Sequence, residues 1–209
     1  MGGLGLSPAF PVGASRRAMR PHDPILVGFG TCYHGYQADE TRMFSIGKLK
    51  QKFIDAYKAC EEIHDAVLEQ TRPGADCEAI FLMTLQLAEK LGYEDSYLGP
   101  PGLQTPFIAH GIGLELNEFP FVAKGQPYPL EKGMSFALEP KIVFPGEGSG
   151  ELRTPWWSLR RDTKFLPQLQ QVSFKCEDAK SLPPLLESDY LSGFAKFIPY
   201  LMPSCPKFI

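Results

Sequence analysis

No window of the 209-residue chain approaches the run of about eighteen apolar residues that a membrane-spanning helix needs, so no span is expected. The opening run from Met1 to Ser15 also lacks an apolar stretch long enough for a secretory signal. Cysteine is sparse and unpatterned: Cys32, Cys60, Cys77, Cys176 and Cys205 form an odd set without CxxC spacing. That argues against a disulfide framework and against a zinc-thiolate site, and predicts reduced, mostly buried thiols. Excess basic charge is missing as well, because 21 Lys and Arg face 24 Asp and Glu for a net charge of -3 and the basic residues are scattered. Nucleic acid is therefore not an expected partner. A soluble, cytoplasmic protein is the simplest expectation.

What is present suffices for one substantial core, since 44% of the residues are hydrophobic. Residues 25–29 and 36–44 read as strands joined by a turn through 31–35, with apolar and aromatic residues bounded by glycines. From Leu49 to Thr71, Phe53, Tyr57, Cys60, Ile63, Val67 and Leu68 recur at helical spacing until Arg72-Pro73-Gly74 stops them. A second helix is expected from Asp76, a suitable cap, to Leu91, with Gly92 as terminator. The Gly- and Pro-rich run from Gly99 to Pro106 then leads into short strands around 107–116 and 134–144. Alternating strands and helices predict an α/β or α+β domain. After Gly148 the character changes: residues 149–209 hold both tryptophans and seven prolines, with no sustained period of two or 3.6.

Chemistry concentrates in three stretches: Gly35-Tyr36-Gln37-Ala38-Asp39-Glu40-Thr41-Arg42, Ala109-His110-Gly111-Ile112-Gly113 continuing to Asn117-Glu118, and Leu138-Glu139-Pro140. Taken singly, Asp39 suits a turn or cap carboxylate and His110 a satisfied core histidine. Aspartate is nevertheless rarely placed in such an apolar strand without a partner. Gly111 and Gly113 favour close approach of backbone to a ligand, and Glu139, between Leu138 and Pro140, is hard to explain as a surface charge. His22, His34 and His64 have no such setting. His64, on a helix between Ile63 and Asp65, is expected to be solvated. Arg42 is expected as a structural partner of the carboxylates.

Together these stretches resemble the catalytic domain shared by methionine aminopeptidase, Xaa-Pro aminopeptidase, prolidase and creatinase, over about Gly2 to Gly148. The resemblance implies an α/β (α+β) domain of the pita-bread fold, incomplete here. It implies metal-dependent hydrolysis of a peptide bond near a free N-terminus, with Xaa-Pro as the first candidate. In that family an Asp, Asp, His, Glu, Glu set holds a pair of ions around a bridging water. The second Asp maps onto Asp39, the His onto His110 and the first Glu onto Glu139. The first Asp belongs eleven residues before Asp39, where Gly28 stands. The last Glu is absent, and Glu151 next to its place is a poor substitute.

At most one divalent ion is therefore expected, manganese or cobalt first, zinc or iron as alternates. Glu139 and His110 are the implied catalytic residues, Glu139 serving as both ligand and proton carrier. Asn117 stands where many relatives have a histidine touching the scissile peptide; it can hydrogen-bond a substrate but cannot titrate near neutral pH. A peptide substrate is the implied partner, and a homodimer is left open. Family elements that precede the domain, an initial helix, a strand and a substrate-facing His, are not found. The rival expectation is a pita-bread domain that has lost catalysis and binds peptides or proteins, and a third is a damaged gene product.

The tail is expected to be the right DNA read in the wrong frame. Trp156-Trp157-Ser158, shifted by one base, gives Val-Val after another apolar residue. Permitted codons for Gly150 through Leu166 then give Gly-Ile-Glu-Asn-Thr-Val-Val-Val-Thr-Glu-Glu-Gly-Tyr-Glu-Val-Leu-Thr, the usual close of the resembled catalytic domain. The expected division is a partial metallopeptidase domain over 1–148 and an aberrant or divergent, poorly specified tail over 149–209.

Overall fold

Strands β1 (Ile25–Tyr33) and β2 (Tyr36–Phe44) form an antiparallel hairpin paired from Ile25↔Phe44 to Tyr33↔Tyr36. Residues 15–152 and 154–156 are described by the computed structural model of the chain. All of them fall in the first of its two compact units, Met1–Arg161. The hairpin turn is tighter than the sequence suggests, because His34 and Gly35 both take positive φ (49° and 88°) and close it in two residues. Such a turn matches the twist of the flanking strands, so Thr31 to Tyr33 continue β1 instead of forming the loop.

Helix α1 (Gln51–Gln70) buries Phe53, Ala56, Cys60, Ile63 and Val67 on one stripe, as its spacing predicts. It stops at Thr71, whose hydroxyl donates to Val67 O at 2.8 Å and satisfies a carbonyl the helix leaves open. Helix α2 (Cys77–Lys90) begins where Asp76 accepts a hydrogen bond from Ala79 N at 2.7 Å. Capping of that kind stabilises a helix by about 1 kcal/mol.

Four short strands make one antiparallel sheet in the order β4 (Glu118–Ala123), β3 (Phe107–Gly111), β5 (Phe136–Leu138), β8 (Thr154–Trp156). A separate pair joins β6 (Lys141–Phe144) to β7 (Gly148–Glu151). The strand expected over 134–144 is therefore two, divided at Glu139-Pro140, where proline offers no N–H to a ladder. The strands of 148–156 were not expected from the sequence. Gly150 explains how β7 fits: a Cβ there would lie 2.9 Å from Ala56 Cβ and 3.1 Å from Tyr57 N, so the missing side chain lets α1 pack directly on the strand. Residues 157–209 lie outside the described part of the chain, and with them most of the expected tail.

The core lies between the helices and the sheets. Ile63, Val67, Ile108, Phe136, Leu138 and Ile142 are fully buried there. Each such side chain contributes roughly 1.5–3 kcal/mol. Cys60 and Cys77 are part of the same core, with burial holding the Cys60 thiol far above its ordinary range and raising Cys77 to about 11. Cys32 is exposed, and all three are free thiols. Among the described residues no helix is long and apolar enough to cross a membrane.

Candidate metal centre

Strands β2 and β3 and the residue that follows β5 bring the ligands to one place. Register pairs Gly30 with Asp39 and Gly28 with Thr41, so these four residues share one face of the hairpin. On that face Asp39 and Thr41 are buried. His110 lies on β3, the strand flanked by β4 and β5, and pairs with Ala137. Glu139 follows β5 and is fixed by its own N–H, which donates to Ile108 O at 2.8 Å.

The result is a cluster of one nitrogen and two oxygens. Nε2 of His110 is 2.6 Å from Oε1 of Glu139 and 3.5 Å from Oδ2 of Asp39. One ligand atom from each of the three residues lies within 4.8 Å of the others. His110 Nδ1–H donates to Gly111 O at 3.0 Å, which directs Nε2 towards the carboxylates. The Phe107 ring stands edge-on to the imidazole with centroids 6.0 Å apart. Burial alone would push the His110 pKa down, but hydrogen bonds with Asp39, Glu139 and the Gly111 carbonyl outweigh it and raise the pKa to about 9. Without a metal the centre therefore holds an imidazolium between carboxylates, its Nε2–H donating to Glu139.

The residues fit a divalent ion. His110, Asp39 and Glu139 are only 1%, 5% and 6% exposed. Carboxylates buried so deeply need a compensating charge. An imidazole with two carboxylates suits manganese, cobalt, iron or zinc, and such an ion would take the place of the imidazole proton. A second ion is poorly provided for. Gly28 has no side chain, although a Cβ there would meet only Thr41 Oγ1 at 3.7 Å. Leu152 is buried where the chain leaves β7, and Glu151, though buried, is outside the three-residue cluster, with its N–H on Met43 Sδ at 3.3 Å.

Other sequence expectations fare unevenly. Asn117 is exposed on the bend between β3 and β4. The glycines beside His110 make room for the protein itself: a Cβ on Gly111 would come within 2.4 Å of Glu118 O and 2.3 Å of Phe119 O. A Cβ on Gly113 would meet the Glu118 carboxylate at 2.5 Å. Arg42 finds a carboxylate in Glu40, on the opposite face of β2 from Asp39, and donates to Thr41 O at 2.9 Å.

The expectation of a solvated His64 is wrong. Its side chain is buried on the core side of α1, with Nδ1 3.2 Å from Asp65 Oδ1. Lys141, buried against Glu139, was not singled out at all. Its only signal is a lysine two residues beyond a ligand, at the start of an apolar run.

The sequence profile of Metallopeptidase family M24 matches residues 3–155. Among curated relatives, an Xaa-Pro dipeptidase of Lactobacillus delbrueckii subsp. lactis is 29% identical over 134 residues, covering 64% of this chain and 34% of the relative. The probable dipeptidase PepE of Mycobacterium bovis is 32% identical over 135 residues, again 64% of this chain and 34% of the relative. The crystal structure of dipeptidase PepE from Mycobacterium ulcerans superposes with a TM-score of 0.63 at 27% identity, over 73% of this chain and 39% of that one. The chain thus spans about a third of the length of these curated relatives.

Proposed function

Because the chain belongs to metallopeptidase family M24 and has its pita-bread fold, we propose that it acts as a metal-dependent peptidase of Xaa-Pro dipeptidase type, impaired by an incomplete metal centre. The observation that carries the reading is the convergence of Asp39, His110 and Glu139 in one buried cluster. These residues would hold one ion, manganese or cobalt first. When bound, such an ion supplies Lewis acidity for a peptide carbonyl and lowers the pKa of water. Glu139 takes the proton of the attacking water at a carboxylate oxygen and returns it to the leaving amine. His110 fixes the orientation of that carboxylate, and Asn117 hydrogen-bonds the substrate peptide from its exposed bend. A reducing, cytoplasmic setting belongs to the same reading.

Protein exchanged into manganese or cobalt should hold no more than one ion per chain by elemental analysis and release proline weakly from Xaa-Pro dipeptides. Glu139→Gln should abolish that release. Hydrolysis that needs no metal, or that survives Glu139→Gln, would sink the reading.

Gly28 favours a second reading, a pita-bread domain that binds peptides without cleaving them. Saturable binding of an Xaa-Pro peptide with no turnover at any metal concentration would select it. The division into 1–148 and 149–209, with the change of frame between them, is part of our proposal. The coding DNA should show a one-base insertion or deletion near the Gly148 codon, and an intact frame there would remove it.

A further inference from the structure

Lys141 opens β6, two residues after Glu139, and is 7% exposed. Lysine is almost never carried inside without a partner. Its Nζ is 3.9 Å from Glu139 Oε2, while Oε1 of the same carboxylate faces His110 Nε2 at 2.6 Å. Glu139 therefore has a hydrogen-bonded imidazole on one oxygen and an ammonium at ion-pair distance from the other. Across the β6–β7 pair, register places Glu151 opposite Lys141 on the same face, 3% exposed.

Charge balance makes the arrangement informative. Asp39, Glu139 and Glu151 bring three buried negative charges to this end of the sheets. The ammonium of Lys141 offsets one, and a single divalent ion offsets the rest. A second divalent ion would leave the group strongly positive in a poorly solvated site.

We propose that Lys141 is a built-in counter-cation of the centre, its ammonium standing beside Oε2 of the ligand Glu139 and weakening the hold of the cluster on its ion. The inference rests on the metal reading of Asp39, His110 and Glu139. Two effects of Lys141 oppose each other. It orients Glu139, which favours the ion, and it repels the ion at short range through little water. Repulsion is the larger, because a charge held a few ångströms away in a partly buried site outweighs the gain from fixing one carboxylate.

The test is a calorimetric manganese titration of metal-stripped full chain as wild type, Lys141→Met, Lys141→Arg and His110→Ala. Lys141→Met should bind manganese about tenfold tighter or more, Lys141→Arg should stay near wild type, and His110→Ala should lose binding. Added manganese should also raise the melting temperature of Lys141→Met more than that of wild type. Lys141→Gln serves the same purpose should the methionine variant fail to fold. Equal or weaker binding after removal of the charge, or tighter binding by the arginine variant too, overturns the inference while leaving the metal reading intact. If none of the variants nor wild type takes up manganese, the metal reading falls and takes the inference with it.

Discussion

Nε2 of His110 and Oε1 of Glu139 lie 2.6 Å apart across 29 residues of sequence. Pairing of β3 with β5 sets that distance, through Ala109↔Leu138 and His110↔Ala137. A proton and a divalent ion therefore compete for one place between the imidazole and the carboxylates.

Metal affinity should depend steeply on pH. His110 is raised to about 9, so below that pH the ion has to displace a proton. Affinity for manganese should fall by about tenfold per unit of pH between roughly 8.5 and 6.5, and level off near 9. Calorimetric titration at several pH values reads this directly. A flat profile would show that the ion does not use Nε2.

The metal-free protein should show the opposite trend in stability. A histidine whose pKa is raised on folding contributes stability that is fully present below its unfolded value and is lost as pH rises through the folded one. For His110 that window runs from about 6.5 to about 9, with a contribution on the order of 3 kcal/mol at its acid end. Urea denaturation of chelator-treated protein should give a midpoint that falls across this window. His110→Asn should remove most of the dependence.

Gly28→Asp should fold, yet restore neither a second ion nor turnover. Its Cβ would meet only Thr41 Oγ1 at 3.7 Å and would point to the face that carries Asp39. The new carboxylate would still lack a bridging partner, because Leu152 is apolar. The substitution should change stability by no more than about 1 kcal/mol. Elemental analysis should still find at most one ion per chain, and release of proline should stay near that of the unmodified chain. Two ions at high occupancy would show that one added carboxylate suffices.

The sequence exposed what depends on neighbours and hid what depends on distant partners. The stripe of α1 and the Asp76 cap of α2 are local patterns, and both form as read. Asp39, His110 and Glu139 were legible because their stretches resemble the family's metal-binding motifs, supported by charged or titratable residues standing in apolar surroundings that they do not normally enter. The turn at His34-Gly35 was hidden because histidine is not a usual first residue of a two-residue hairpin. Strands β7 and β8 carry too few residues to show a period and exist through pairing with β6 and β5. At Gly111 the neighbour that comes close is β4, which only the folded chain brings against it.

His64 should make the protein sensitive to acid. Burial is the main cause that lowers its pKa, the nearby Arg42 charge adds to it, and Asp65 opposes it. A histidine kept neutral by folding contributes stability at pH above its unfolded value, and the fold loses it as pH falls and the ring must charge. Thermal melts of wild type should therefore drop below about pH 6.5 more steeply than those of His64→Asn. Parallel curves for the two proteins would place the acid sensitivity elsewhere.

Gly111→Ala should be strongly damaging for a single methyl. Its φ is not in the left-handed region, so the effect does not arise from a left-handed conformation. It arises because β4 crosses so near that a Cβ would lie 2.3 Å from Phe119 O and 2.4 Å from Glu118 O. Backbone atoms cannot swing away as a flexible side chain can, so the β3–β4 register would have to open beside His110. A loss of roughly 3 kcal/mol or more is expected, together with weaker manganese binding, because the Gly111 carbonyl that accepts from His110 Nδ1 would move. Gly125→Ala is the control: its φ is +73° with nothing within 4 Å of the added carbon, so only about 1 kcal/mol of strain should appear and metal binding should not change. Urea unfolding of the two variants, followed by manganese titration, checks both parts. Equal losses would mean that the close contact at Gly111 relaxes without disturbing the centre.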